Sequence, residues 1–152
     1  MNWSDFALRF GPSRTTNFDL MTMAKRMKIP SFRIVMHDEL VTLPKNTRNV
    51  IMNLDSSKGR GTHWVAIYNT PAYKLYFSSF GDPPSDRVIQ FMNKTTTTNT
   101  VRVYNDFQLQ TFGAEYCGQM SLYVLYRLNL TGDSANGIML SLICRDKNRE
   151  DV

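Results

Sequence analysis

The chain has 152 residues, 42% hydrophobic and 20% charged, with 8 glycines and 6 prolines, which is the length and apolar content of one globular domain with a core of its own. That composition excludes intrinsic disorder, collagen-like repeats and low-complexity scaffolds. Lys and Arg number 18 against 13 Asp and Glu, a net charge of +5 that favours encounters with polyanions.

The cations fall in short groups such as Lys25-Arg26 with Lys28 and Arg145 with Lys147 and Arg149. No zinc-finger or RNP pattern accompanies them, so non-specific contact with a phosphate backbone fits better than sequence-specific recognition. The longest apolar runs, around Val65 to Tyr68 and Ile138 to Cys144, are far shorter than the roughly 20 residues of a bilayer span. Met1 to Asp5 shows no secretory pattern, and an intracellular protein is expected. Two cysteines, Cys117 and Cys144, are too few for a disulfide framework.

In chain order, Asn17 is a candidate cap for a helix carrying Leu20, Met23, Ala24 and Met27, closed by Ile29-Pro30. Runs of β-branched and apolar residues predict strands at Phe32 to Met36, Asn49 to Leu54, His63 to Asn69 and Tyr73 to Phe77, the last two joined as a hairpin. This pattern suggests an antiparallel or mixed sheet. Pro83-Pro84-Ser85 opens a second helix through Val88, Ile89, Phe91 and Met92, and Val101 to Tyr104 reads as another strand. From Cys117 to Leu128 the chain is apolar nearly all round, the mark of a buried helix, and a last helix is expected over Ala135 to Cys144. The expected class is α+β, one domain over 1–152, with a central helix packed on the sheet.

With two histidines in the chain, any His-dependent chemistry uses His37 or His63. His63 starts a strand after Gly59-Arg60-Gly61-Thr62, at an element end where a side chain can face a cleft; His37, flanked by Asp38 and Glu39, reads as structural. Cys117 stands where a loop enters the apolar helix, and the N–H groups of a helix start, with a nearby imidazole, favour a thiolate. Cys144 lies inside an apolar helical segment and reads as an inert thiol. A tetrahedral intermediate also needs donors, which the Cys117 N–H and the amide of Gln110 or Gln108 can supply. No metal spacing such as C-x-x-C occurs, and Gly59-Arg60-Gly61 lacks the remainder of a phosphate-binding loop, so no metal or cofactor is required.

The blocks Gly61-Thr62-His63-Trp64-Val65-Ala66, Tyr76-Phe77-Ser78-Ser79-Phe80-Gly81 and Gln110 to Cys117-Gly118, in this order and spacing, resemble the adenain-type cysteine proteases. These are the maturation proteases of adenoviruses, with relatives in African swine fever virus, Polinton/Maverick transposons and virophages, and more distantly the SUMO-deconjugating proteases. Asn17-Phe18-Asp19-Leu20, Ile29 to Arg33 and Asp38-Glu39-Leu40 look most like the Polinton and virophage branch. The resemblance implies that Cys117 is the nucleophile, His63 the general base, Gln110 the oxyanion-hole residue and Trp64 the tryptophan packed beside the histidine, with Gly118 leaving the backbone open to substrate.

One position departs from the pattern. Where the family has a carboxylate or amide to orient the histidine, this chain has Ser78, which can orient an imidazole but brings no charge. Ser78 itself, Asp82 or Asn69 in its place, and a bare Cys-His dyad are the three readings. The implied function is a viral maturation endopeptidase cutting capsid and core precursors beside small residues, glycine above all, in the virion and the host-cell interior. Stimulation by DNA or a viral peptide, and a monomer, belong to the same implication. The alternatives are an isopeptidase for ubiquitin-like modifiers and a DNA-associated binding protein on the same fold.

Overall fold

In the computed structural model, which describes Phe6 and residues 16–59, 63–105, 108, 117–132 and 137–138, the first helix starts one residue earlier than its sequence suggests. Helix α1 spans Asn17–Arg26, and its cap is Thr16, not Asn17. Thr16 is extended, its hydroxyl accepts from the Asp19 N–H at 3.2 Å, and the Asp19 carboxylate accepts from the Thr16 N–H at 3.1 Å. This reciprocal pair requires an acid three residues after the cap, which Thr16 has. At the other end Lys28 takes φ 57°, and the Ile29 and Lys28 N–H groups return to the Ala24 and Lys25 carbonyls, a Schellman closure completed before Pro30 is reached.

Five strands follow in a single sheet whose spatial order is their chain order: β1 (Phe32–Met36), β2 (Asn49–Asn53), β3 (Trp64–Asn69), β4 (Tyr73–Phe77) and β5 (Val101–Tyr104). The sheet is mixed. The β2-β3-β4 meander is antiparallel, while β1 pairs with β2 and β4 with β5 in parallel. Parallel neighbours need a crossover, and the chain provides two: a 3-10 segment, His37–Thr42, between β1 and β2, and helix α2, Asp86–Asn93, between β4 and β5. Ser85 caps α2 through the Val88 N–H.

The crossovers cover one sheet face, where Leu40, Val88, Phe91 and Met92 pack against Val50, Met52, Val65, Ile67 and Tyr76. The opposite face is covered by α1 and helix α3, Cys117–Tyr126, with Leu20, Met23, Ile51, Ala66, Phe77, Met120 and Tyr123 in one cluster. Alternation along each strand therefore sends successive side chains into two cores, which is why β2 is buried at all five positions. Every residue of α3 from Cys117 to Leu125 is buried. The helix passes at Arg127 into a π turn ending at Gly132, which takes φ 67°. There Asn129 and Asn49 exchange amide hydrogen bonds at 2.7 and 3.1 Å, tying the end of α3 to β2. Of the helix expected over Ala135 to Cys144, only Gly137 and Ile138, both helical, are among the described residues.

Candidate active site

His63 directly precedes β3 and faces the turn that follows β4. Its ring is 5% exposed and lies stacked on Phe80, with centroids 4.2 Å apart at 18°. Nε2 is 3.1 Å from Ser78 Oγ, while Nδ1 is buried without a hydrogen-bond partner among the described residues. Burial lowers the His63 pKa to about 4, against a weak opposing pull from Asp82, so the ring is neutral at neutral pH. In the tautomer that carries its proton on Nε2 and donates it to Ser78, the lone pair sits on Nδ1.

Ser78 is itself held firmly. Its N–H donates to Asn105 Oδ1 at 3.0 Å, its carbonyl accepts from Asn105 Nδ2 at 2.5 Å, and its hydroxyl accepts from the Phe80 N–H at 3.3 Å. Gly81, at φ 77°, closes the turn by donating to the Ser78 carbonyl at 2.9 Å. A side chain is disfavoured at that φ, which gives the Phe80-Gly81 pair a backbone reason.

Cys117 is the first residue of α3, 2% exposed, and its Sγ accepts the Trp64 main-chain N–H at 3.3 Å. Strand β3 and helix α3 thus bring the residue after His63 onto the sulfur, although 53 positions separate them in the chain. Gly118 is buried too, and a Cβ there would lie 3.1 Å from Trp64 Cδ1 and 3.4 Å from Leu20 Cδ1. The missing side chain lets α3 lie close on Trp64, a packing reason where the sequence suggests access for substrate.

Of the three readings for the orienting group, Ser78 is the residue beside His63. Asn69 is engaged elsewhere, donating to the Lys45 and Thr47 carbonyls and accepting from Lys74 Nζ. Asp82 is exposed and acts on His63 only through space. His37 belongs to the frame: its Nε2 lies 3.0 Å from Ser85 Oγ, and Arg87 reaches both its Nδ1 and its carbonyl at 3.2 Å. Gln110, Cys144 and the Arg60-Gly61-Thr62 stretch lie outside the described residues. Sequence reasoning missed Asn105, for which a buried asparagine just past a strand is a weak signal, and it placed Phe80 in a recognisable block without its stacking on His63, which nothing in the sequence marks.

A buried thiol at a helix start, an imidazole with one nitrogen anchored on a serine, and a mixed sheet covered on both faces define a cysteine-peptidase fold of the adenain and Ulp type. Two crystal structures of the African swine fever virus protease match 86% of this chain with TM-scores of 0.60 and 0.59 at 19% identity, over 63% and 62% of that protein. In sequence the chain is 32% identical over 120 residues to a cysteine protease of a Malawi tick isolate of that virus. It is 31% identical over 120 residues to proteins named SUMO-1 cysteine protease in the Pretoriuskop and Namibian warthog isolates. Each match takes in 71% of this chain and 43% of the relative, so the chain spans less than half the length of the relatives it matches. No family model matches the chain. The likeness is to viral cysteine proteases.

Proposed function

We propose that this protein is a viral cysteine endopeptidase of the maturation type, with Cys117 as nucleophile and His63 as general base. The observation that carries the reading is the pairing of a Trp64 N–H on the Cys117 sulfur with a His63 whose Nε2 is anchored on Ser78 and whose Nδ1 has no hydrogen-bond partner among the described residues. Nδ1 accepts the thiol proton as Cys117 Sγ attacks the scissile carbonyl; the same nitrogen then returns that proton to the leaving amine. Water, deprotonated by Nδ1, releases the acyl group. The Cys117 N–H and, by the family resemblance, the Gln110 amide stabilise the oxyanion.

In this reading the substrates are capsid and core precursors with small residues, glycine above all, beside the scissile bond, and the protein works in the virion and the host-cell interior. The net charge of +5 supports stimulation by packaged DNA, and the resemblance supports stimulation by a viral peptide. The test is hydrolysis of a peptide library and of viral precursor proteins by the protein and its variants. Cys117→Ser abolishes cleavage, and His63→Ala lowers kcat/KM at least about 100-fold. Full activity in both variants would sink the assignment.

A second reading keeps the chemistry and changes the substrate. The name SUMO-1 cysteine protease carried by two of the relatives favours an isopeptidase acting on a ubiquitin-like modifier. Release of a modifier from a lysine side chain, without cleavage of linear precursors, would select it.

A further inference from the structure

Trp64 opens β3, and among the described residues both of its main-chain polar groups lie beyond the end of the strand ladder on their side. His63 faces β2, since its carbonyl accepts the Leu54 N–H at 2.9 Å; by alternation the Trp64 N–H and C=O point the other way. On that side the ladder to β4 stops at the Ala66 and Phe77 pair, two residues short of Trp64. Helix α3 supplies both missing partners. Cys117 Sγ accepts the Trp64 N–H at 3.3 Å, and Ser121 Oγ donates to the Trp64 carbonyl at 3.3 Å.

Cys117 and Ser121 are four residues apart, neighbours on one helix face, so they grip the main chain of a single residue from one side. Ser121 has no solvent exposure, and its hydroxyl reaches the strand although a mid-helix serine ordinarily bonds back to its own helix. Gly118, between the two, keeps the helix close enough for both contacts.

We propose that Ser121 is a positioning residue: it holds the Trp64 main chain so that its N–H stays aimed at the Cys117 sulfur and stabilises the thiolate. The inference rests on the reading of Cys117 as the nucleophile. A neutral main-chain donor, fixed by a hydroxyl one helical turn away, then supports the anion beside a ring that burial makes reluctant to carry charge. Removing the hydroxyl leaves the Trp64 carbonyl unpaired and loosens the N–H along with it.

The experiment is the pH dependence of Cys117 alkylation by iodoacetamide, followed by mass spectrometry of the Cys117 peptide, together with peptide hydrolysis. Ser121→Thr and Ser121→Val have nearly the same volume and differ by the hydroxyl, and Ser121→Ala removes the hydroxyl without adding bulk. Ser121→Thr titrates as the unsubstituted protein does. Ser121→Val and Ser121→Ala raise the apparent thiol pKa by about half a unit to one unit and lower kcat about threefold to tenfold at unchanged KM. Thiol titrations in Val and Ala variants that match the Thr variant overturn the proposal. If the unsubstituted protein cleaves peptides while the four titrations coincide, the positioning role fails and the protease reading stands. If it cleaves nothing while the Val and Ala titrations move, the protease reading fails and the clamp stands. Should the Val variant not fold, the Ala and Thr pair decides the same question.

Discussion

His63 is a neutral base by construction. Its pKa of about 4 lies below the ordinary histidine value because the ring is buried with a hydroxyl, not a carboxylate, for company. Folding therefore disfavours the protonated ring, and the unfolded chain binds the extra proton first. The resulting cost is absent above pH 6.5 and grows as pH falls from 6.5 towards 4, reaching about 2–3 kcal/mol. Urea unfolding across this window will show stability falling with acidity, with a shallower fall in His63→Gln; equal slopes would show that the folded ring charges freely. The same logic predicts that Ser78→Asp raises the His63 pKa by at least about one unit and speeds Cys117 alkylation below neutral pH. Ser78→Ala costs about fivefold to tenfold in kcat/KM, and an unchanged value would show that the hydroxyl has no orienting role. The placement of His63, Cys117 and Ser78 at element ends was legible in the sequence because each stands in a recognisable block. Asn105 and Ser121 were not, because their partners, Ser78 and Trp64, come from other elements and nothing local singles them out.

The elements themselves were written plainly in apolar spacing, and β1 to β5, α1, α2 and the start of α3 fall where hydrophobic periodicity places them. Strand direction was less legible. Period-two burial looks the same in parallel and antiparallel ladders, and the parallel sense of β1 and β5 depends on which connection crosses the sheet. The end of α1 was also misplaced, since Pro30 drew attention from the left-handed Lys28 before it. That residue carries a side chain where a Schellman closure favours glycine. Lys28→Gly is expected to stabilise the protein by about 0.5–1 kcal/mol, read as a rise in Tm of a few degrees; a fall would mean that the lysine side chain makes up for its backbone strain.

At the scale of the molecule, a sheet covered on both faces brings His63, Ser78 and Cys117 together at one end, where β3 begins and β4 turns. The charge of +5 adds a long-range preference that no single residue of the site displays. If packaged DNA stimulates cleavage through phosphate contacts, the stimulation shrinks steeply as salt rises from about 50 to about 200 mM. Cleavage that ignores both DNA and salt would leave the charge with no part in catalysis. Charge of this kind is visible in composition, whereas its arrangement over the surface is a property of the fold.

The order of elements along the chain has a consequence for the protein's birth. All five strands, His63 and Ser78 are encoded before residue 117. His63 and Ser78 therefore leave the ribosome ahead of the sulfur, which arrives with the helix that covers the second sheet face. On the protease reading proposed above, the newborn chain holds its base with nothing to deprotonate and gains a nucleophile only when the helix that closes the second core emerges.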